Sequence, residues 1–484
     1  MQRILQTIRL YLSKSTFAKH IVAVSGSTLI VQFISLAVAP INTRLYEPSD
    51  YGLLAVFAAC FGVLSIIATM RYEGAIPIAE NDAEGVNLLV LCFVICGFVT
   101  IVVSLFSLFA GNYISQLLTS DNRFSVYIWY LPVGVFALAI FNILTAWSVR
   151  KHAFSKLSNV RIIQSILGSG CTISMGFLKF GVLGLIAGSL VSSLVGLRTL
   201  LKIAVHDFQQ QASQVNWRSL VRTAKLYYRF PLLNTWGQLL TSVSTQLPIF
   251  VLTSGFGATY TGYFSLCQRI LLLPTLLISG AIAPVFFSRA KQAKQDGSLT
   301  ALTERMLYSI AGINAVFVMF VAFFGESLFE VVFGDKWSRA GVYATALAPW
   351  LLLNFLVTPL ATLPLVFERQ ATDLIFHISL LLVRALSLGV GIYFGSDLLA
   401  MMLFGWCSAA FMLIYMNWLV SLVKIPLSPL LLRVGREILI ASVLLGACRF
   451  VLWWSNNNFL LTGFVLIPVF AFFIKRTLEQ VKGI

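Results

Sequence analysis

The chain has 484 residues, of which 58% are hydrophobic and only 11% charged, whereas a soluble domain carries roughly a quarter charged residues. Apolar runs of about 18 residues or more, the length that crosses roughly 30 Å of hydrocarbon as a helix, recur almost to the C-terminus; they exclude a soluble fold and also a membrane barrel, whose strands would alternate. The net charge of +16 does not argue for nucleic acid, because Lys and Arg fall in short segments between the apolar runs, where membrane topology accounts for them.

At the N-terminus, "MQRILQTIRLYLSK" sets Ile4, Leu5, Ile8 and Tyr11 or Leu12 at helical spacing with Arg and Lys between them. Residues 1–20 are therefore expected to lie as an amphipathic segment on the anionic inner leaflet. The first span is longer than a signal-peptide core and lacks a clear small-residue cleavage site, so the N-terminus is expected to be retained. The apolar runs give about 14 spans: 21–42, 51–79, 87–110, 127–149, 160–178, 182–203, 230–253, 260–287, 306–329, 340–367, 372–394, 398–423, 437–454 and 459–474. With the N-terminus inside, 25 Lys and Arg fall on the cytoplasmic side, 6 outside, and Arg71, Arg269 and Arg384 within spans. That asymmetry supports the span count and a multi-pass protein with both termini cytoplasmic.

The longest polar segment, 204–229, separates an expected N-lobe (21–203, six spans) from a C-lobe (230–423, six spans), with residues 424–484 adding two spans and a cytoplasmic tail. A weak echo crosses it: "PSDYGL" (Pro48 to Leu53) against "ATYTGY" (Ala258 to Tyr263), at an offset of 210 residues, and "NDAEG" against "AKQDG". An even number of helices per block keeps the same orientation, so the echo reads as a parallel repeat about an axis along the membrane normal.

The seven cysteines lie in or beside apolar runs, and the four histidines are scattered. Neither a disulfide framework nor a metal-ligand set is implied. No nucleophile elbow, P-loop or paired catalytic carboxylates occur, no external loop is long, and no cofactor is expected, so the chain reads as a transporter rather than an enzyme.

Polar residues form stripes in two spans. Ser25, Thr28, Gln32 and Ser35, with Asn42 beyond, share a face of the first; Asn234, Gln238, Ser242 and Thr245 or Gln246 share one of the seventh. Single hydroxyls commonly bond between packed helices, but lipid cannot satisfy this many amides, and the matched positions point to a shared cavity. Gln268 adds to that lining. Arg269 lies roughly 14 Å deep at 1.5 Å per residue, and Arg384 is near mid-span; neither reaches an interface easily, and buried charges face cavities. Arg71 is open to two placements, in the cavity or snorkelling inward. On one α-helix Arg71 and Glu73, two residues apart, point to different sides and would need separate partners. A cavity whose charges are arginines suits a phosphate or pyrophosphate, which the planar guanidinium engages in bidentate fashion.

The blocks "NTRLYEPSDYGLLAVF", "MRYEGAIPIAENDAEGVNLL" and "YRFPLLNTWGQLLTSVSTQLPIFVLTSGFGATYTGYFSLCQRILLLPTLLISGAIAPVFF" resemble the Wzx-type polysaccharide and O-antigen repeat-unit flippases of the multidrug/oligosaccharidyl-lipid/polysaccharide exporter superfamily. The resemblance covers about residues 15 to 420. It implies an all-α polytopic membrane protein with two pseudo-symmetric six-helix lobes in a V around a central cationic cavity. It also implies a substrate of oligosaccharide on undecaprenyl pyrophosphate, moved from inner to outer leaflet for O-antigen or other surface polysaccharide synthesis, with membrane lipids and polysaccharide polymerase machinery as partners. By the same resemblance Arg71, Arg269, Arg44 and Arg384 would hold the pyrophosphate, and Glu73 would serve coupling to H+ or Na+. A drug/cation antiporter of the same superfamily and a membrane glycan polymerase or ligase are the alternatives; the basic mid-span charges disfavour the first and the short external loops the second.

Overall fold

A computed structural model describes residues 16–454, save 120, 122, 212 and 214. The expected amphipathic start up to residue 15 and the fourteenth span, 459–474, lie outside the described residues. The described chain is helical throughout: α1 (Thr16–Leu45), α2 (Pro48–Thr69), α3 (Asp82–Leu118), α4 (Leu131–Arg150), α5 (Phe154–Phe177), α6 (Val182–Leu194), α7 (Leu197–Gln211), α8 (Trp217–Leu226), α9 (Thr235–Phe256), α10 (Ala258–Gln295), α11 (Leu299–Phe333), α12 (Ser338–Val357), α13 (Gln370–Tyr393), α14 (Asp397–Leu422) and α15 (Leu427–Trp454), with short helical turns between some of them. Ten stretches among the described residues are long and apolar enough to cross a membrane. The protein is an all-α polytopic membrane protein.

The chain divides into two compact units, one ending at Gly262 and the other beginning at Tyr263. In the first, α1 packs on α5, α5 on α6, α3 on α4, and α2 on α4 and α9. Its core gathers Leu88, Leu89, Cys92, Ile143 and Leu144 around a fully buried Trp147. In the second, α12 packs between α11 and α14, α13 on α14, and α15 on α11. Between lipid-embedded helices the hydrophobic effect contributes little, and close packing takes its place. Accordingly a Cβ on Gly405 of α14 would lie 2.3 Å from the Ala346 carbonyl oxygen of α12, and one on Gly188 of α6 would lie 2.0 Å from Thr172 Oγ1 of α5.

One contact is reciprocal. A Cβ on Gly52, in the first turns of α2, would sit 1.8 Å from the Ala258 carbonyl oxygen, and a Cβ on Gly262, in the first turns of α10, would sit 1.8 Å from the Pro48 carbonyl oxygen. Each partner is related to its counterpart by the same 210-residue offset. The two segments that echo each other in sequence thus pack on one another the same way in both directions, as a two-fold relation requires.

The structure corrects the second span. The sequence places one span over 51–79, but the α-helix ends at Thr69. Met70 (φ 46°) and Arg71 (φ 59°) both take the left-handed conformation, and Tyr72–Ile78 continues as a tighter 3-10 turn. Two consecutive non-glycine residues there cost roughly 1–2 kcal/mol each, so the surroundings must hold them in place.

Candidate functional site

The surroundings of that turn form a clamp. Arg150, at the end of α4, donates from Nη1 to the carbonyls of Ile76 (3.1 Å) and Ala79 (2.7 Å), and from Nη2 to Asp82 Oδ1 (3.1 Å). Lys151 Nζ meets Asp82 Oδ2 at 3.1 Å and Asp207 Oδ2 at 3.6 Å, and Trp147 Nε1 donates to the same Asp207 oxygen at 3.1 Å. "NDAEG" now has a physical account. Asn81 caps α3 by accepting from the Glu84 N–H at 2.8 Å; Asp82 takes the two cations; and a Cβ on Gly85 would come within 2.9 Å of Arg150 Nε. On the turn's other side Tyr72 Oη donates to the Ala224 carbonyl at 3.1 Å, and Tyr227 Oη to Glu84 Oε2 at 3.2 Å. Burial, and then the Glu84 carboxylate, push the Tyr227 phenol above its ordinary range.

Inside this frame Arg71 Nη1 meets Glu73 Oε1 at 3.1 Å. The expectation that they need separate partners fails, because it assumed one α-helix; the left-handed residues turn Arg71 back over the 3-10 segment. The pair is lopsided: the Glu73 side chain is 8% exposed and that of Arg71 39%. Glu73 Oε2 is buried without a hydrogen-bond partner among the described residues.

The other expected residues fall as follows. On α1, Arg44 is exposed and donates from Nη1 to the Pro40 carbonyl at 3.0 Å; Gln32 and Asn42 are half-buried, and Asn42 Oδ1 is a buried acceptor without a donor among the described residues. Asn234 and Gln238 are exposed. With Thr241 and Thr245, also exposed and bonded back to their own helix at 2.9 and 2.8 Å, they form one polar face along α9. Gln246 is half-buried beside α2, its Nε2 lying 3.9 Å from where a Cβ on Gly62 would be. In the second unit, Arg269 is exposed on α10 and Gln268 half-buried. Arg384 packs inside that unit: its guanidinium lies 5.3 Å from the Phe404 ring centre and 5.7 Å from that of Trp350, and Nε is buried without a partner among the described residues. Sequence reasoning missed the two rings, since aromatic residues fill every span; it also missed the Arg150 clamp, because Arg150 and Lys151 read only as topology markers.

Two more features of the second unit went unread. Asp397 accepts from Arg339 (2.7 Å, Nη2 to Oδ1) and from Tyr343 Oη (2.6 Å), tying the start of α14 to α12. A cleft of about 840 Å³ opens between α11, α12, α14 and α15, apolar except for Glu326 and Thr345.

The fold has likenesses among solved structures. The chain resembles the lipid II flippase MurJ in its inward closed conformation, with a TM-score of 0.72 at 13% identity over 94% of this chain and 99% of that one. It also resembles an inward-facing multidrug resistance MATE family transporter of the MOP superfamily, with a TM-score of 0.56 at 15% identity over 83% of this chain and 96% of the other. In sequence it is 23% identical to stage V sporulation protein B of Bacillus subtilis over 72% of each chain. It is 22% identical to the succinoglycan biosynthesis transport protein ExoT of Rhizobium meliloti over 68% of this chain and 64% of that one. Residues 41–341, more than half of the chain, match the family described as polysaccharide biosynthesis protein. The chain belongs to that family.

Proposed function

We propose that the protein is a flippase, not an enzyme, that moves undecaprenyl-pyrophosphate-linked oligosaccharide repeat units from the inner to the outer leaflet of a bacterial inner membrane by alternating access. The observation that carries this reading is the polar face of α9, where Asn234, Gln238, Thr241 and Thr245 are exposed on a helix apolar enough to span. Lipid cannot satisfy the Asn234 and Gln238 amides of that face, and a sugar can. Membership of a polysaccharide biosynthesis family and likeness to a lipid II flippase support the substrate class. The product would serve O-antigen or another surface polysaccharide, handed on to polymerase machinery.

In this reading both termini are cytoplasmic, the lobes 21–203 and 230–423 rock about the connector 204–229, and Arg71, Arg269, Arg384 and Arg44 meet the pyrophosphate. With the inside negative, each net negative charge carried outward gains about 2.3 kcal/mol per 100 mV. Glu73 is the coupling carboxylate for H+ or Na+, consistent with its orphaned oxygen.

The test is a deletion strain, which should lose surface polysaccharide and accumulate repeat units on the inner leaflet, with unchanged drug sensitivity; hypersensitivity to drugs with normal polysaccharide would favour a drug/cation antiporter. Arg269→Ala and Arg384→Ala should each abolish rescue while protein levels in the membrane stay normal, and full rescue by both would remove the cationic cradle. Glu73→Gln should leave substrate binding intact yet flatten the response of transport to an imposed proton or sodium gradient, read in proteoliposomes.

A further inference from the structure

The segment between α7 and α9 carries a surface that the transport site does not use. α8 opens on a reciprocal cap: the Asn216 side chain accepts from the Ser219 N–H at 2.9 Å, and the Ser219 hydroxyl accepts from the Asn216 N–H at 3.0 Å. One face, with Leu220 and Thr223 buried, packs on α3 within the first unit. Ser219 Oγ donates to Asn87 Oδ1 at 2.7 Å, and the Tyr72 and Tyr227 hydrogen bonds described above secure the rest.

The opposite face is exposed and double in character. Trp217 is 73% exposed, and Val221, Leu226 and Tyr228 are exposed as well. Between them stand Arg218, Arg222, Lys225 and Arg229, all exposed and none with an ion-pair partner among the described residues. The sequence holds no Asp or Glu from Phe208 through Gln295, so no neighbouring carboxylate along the chain competes for these cations. The helix also lies between two candidate spans, one ending at Gln211 and the next beginning at Phe230.

We propose that this face of α8 binds the anionic headgroups of phospholipids, with the four cations on the phosphates and Trp217, Val221 and Tyr228 in the interfacial layer. The inference rests on the connector lying at the inner leaflet, as in the function proposed above. A purely electrostatic partner such as an acidic protein would need no apolar side chains between the charges; a headgroup layer over acyl chains uses both. The tethers give the contact a consequence. Tyr72 belongs to the 3-10 turn itself, and a Cβ on Gly74 would lie 3.2 Å from the Phe230 ring, so lipid that holds α8 also holds the turn bearing Arg71 and Glu73.

The experiment is amide hydrogen exchange on the intact protein in nanodiscs of phosphatidylcholine, with and without one third phosphatidylglycerol. Residues 217–226 and 70–79 should exchange about tenfold more slowly, or slower still, with the anionic lipid. The variant R218Q/R222Q/K225Q/R229Q should lose that difference, and R218K/R222K/R229K should keep it. Equal exchange of the unaltered protein in both lipids would overturn the proposal, as would slowing by soluble polyglutamate in phosphatidylcholine discs without any effect of phosphatidylglycerol. The readout needs no transport, so a protein that responds to the lipid but flips nothing would overturn the flippase reading alone, and the converse result this one alone.

Discussion

Gly52→Ala and Gly262→Ala should each destabilise the protein, by about 1–3 kcal/mol, and to a similar extent. In both, the new methyl group would have to occupy a point 1.8 Å from a backbone carbonyl oxygen, of Ala258 in one case and Pro48 in the other. A carbonyl within a helix cannot rotate away as the end of a flexible side chain would, so the helices themselves must part. The two glycines share one contact, and once the first methyl has separated the helices the second finds part of the space already open. The double variant should therefore cost less than the sum of the singles. Thermal unfolding in detergent measures all three. A large effect at Gly52 with none at Gly262 would deny the two-fold relation between the segments. Because these glycines sit where two helix starts meet, transport should fall with stability, and larger side chains should abolish it.

The second large effect is expected at Arg150. Removing its side chain in Arg150→Ala strips donors from the Ile76 and Ala79 carbonyls and from Asp82 at once. Hydrogen bonds involving a charged group are worth roughly 1.5–3 kcal/mol, and the 70–79 turn already holds two left-handed residues under strain. The loss should release the turn rather than unfold the bundle. Exchange at amides 70–79 should rise by two orders of magnitude or more, while the helical signal stays near that of the unaltered protein. Arg150→Lys should not rescue it: a single ammonium cannot span two carbonyls and a carboxylate as the planar fork does. Exchange in the lysine variant equal to that of the unaltered protein would show that the clamp is simple charge. Transport should fail in Arg150→Ala even though Arg150 touches no substrate in the proposed mechanism, since Glu73 and Arg71 ride on the turn it holds.

What could be read directly from the residues follows from local physics. Apolar runs long enough to cross hydrocarbon announce helices, and the expected seventh and twelfth spans lie close to α9 and α14. The polar stripe of α9 was legible because a helical period places Asn234, Gln238 and Thr245 on one side whatever surrounds them. The repeat was legible as a faint echo, but its meaning was not. Nothing in "PSDYGL" or "ATYTGY" says that each glycine receives the other segment's carbonyl, because that contact joins residues 210 apart in the chain.

The arginines show the boundary most clearly. That Arg71, Arg269 and Arg384 interrupt apolar runs is plain in the chain, and the cost of burying charge makes each a candidate for function. What each one faces was a tertiary decision. Arg71 was assigned a direction on a continuous helix, and the helix stops two residues earlier; the break is held by Arg150 from α4 and by Tyr72 reaching the connector, partners at distances in sequence that no local pattern encodes. Arg384 was given a depth, and the fold supplied the Trp350 and Phe404 rings around it. Composition, run length and charge placement thus determined by themselves that this is a polytopic helical membrane protein with a cation, Arg384, inside a candidate span, because those properties act through the solvent and along the local chain. Which groups the arginines meet, and that a buried Glu73 has one oxygen without a partner among the described residues, only the packing of distant helices decided.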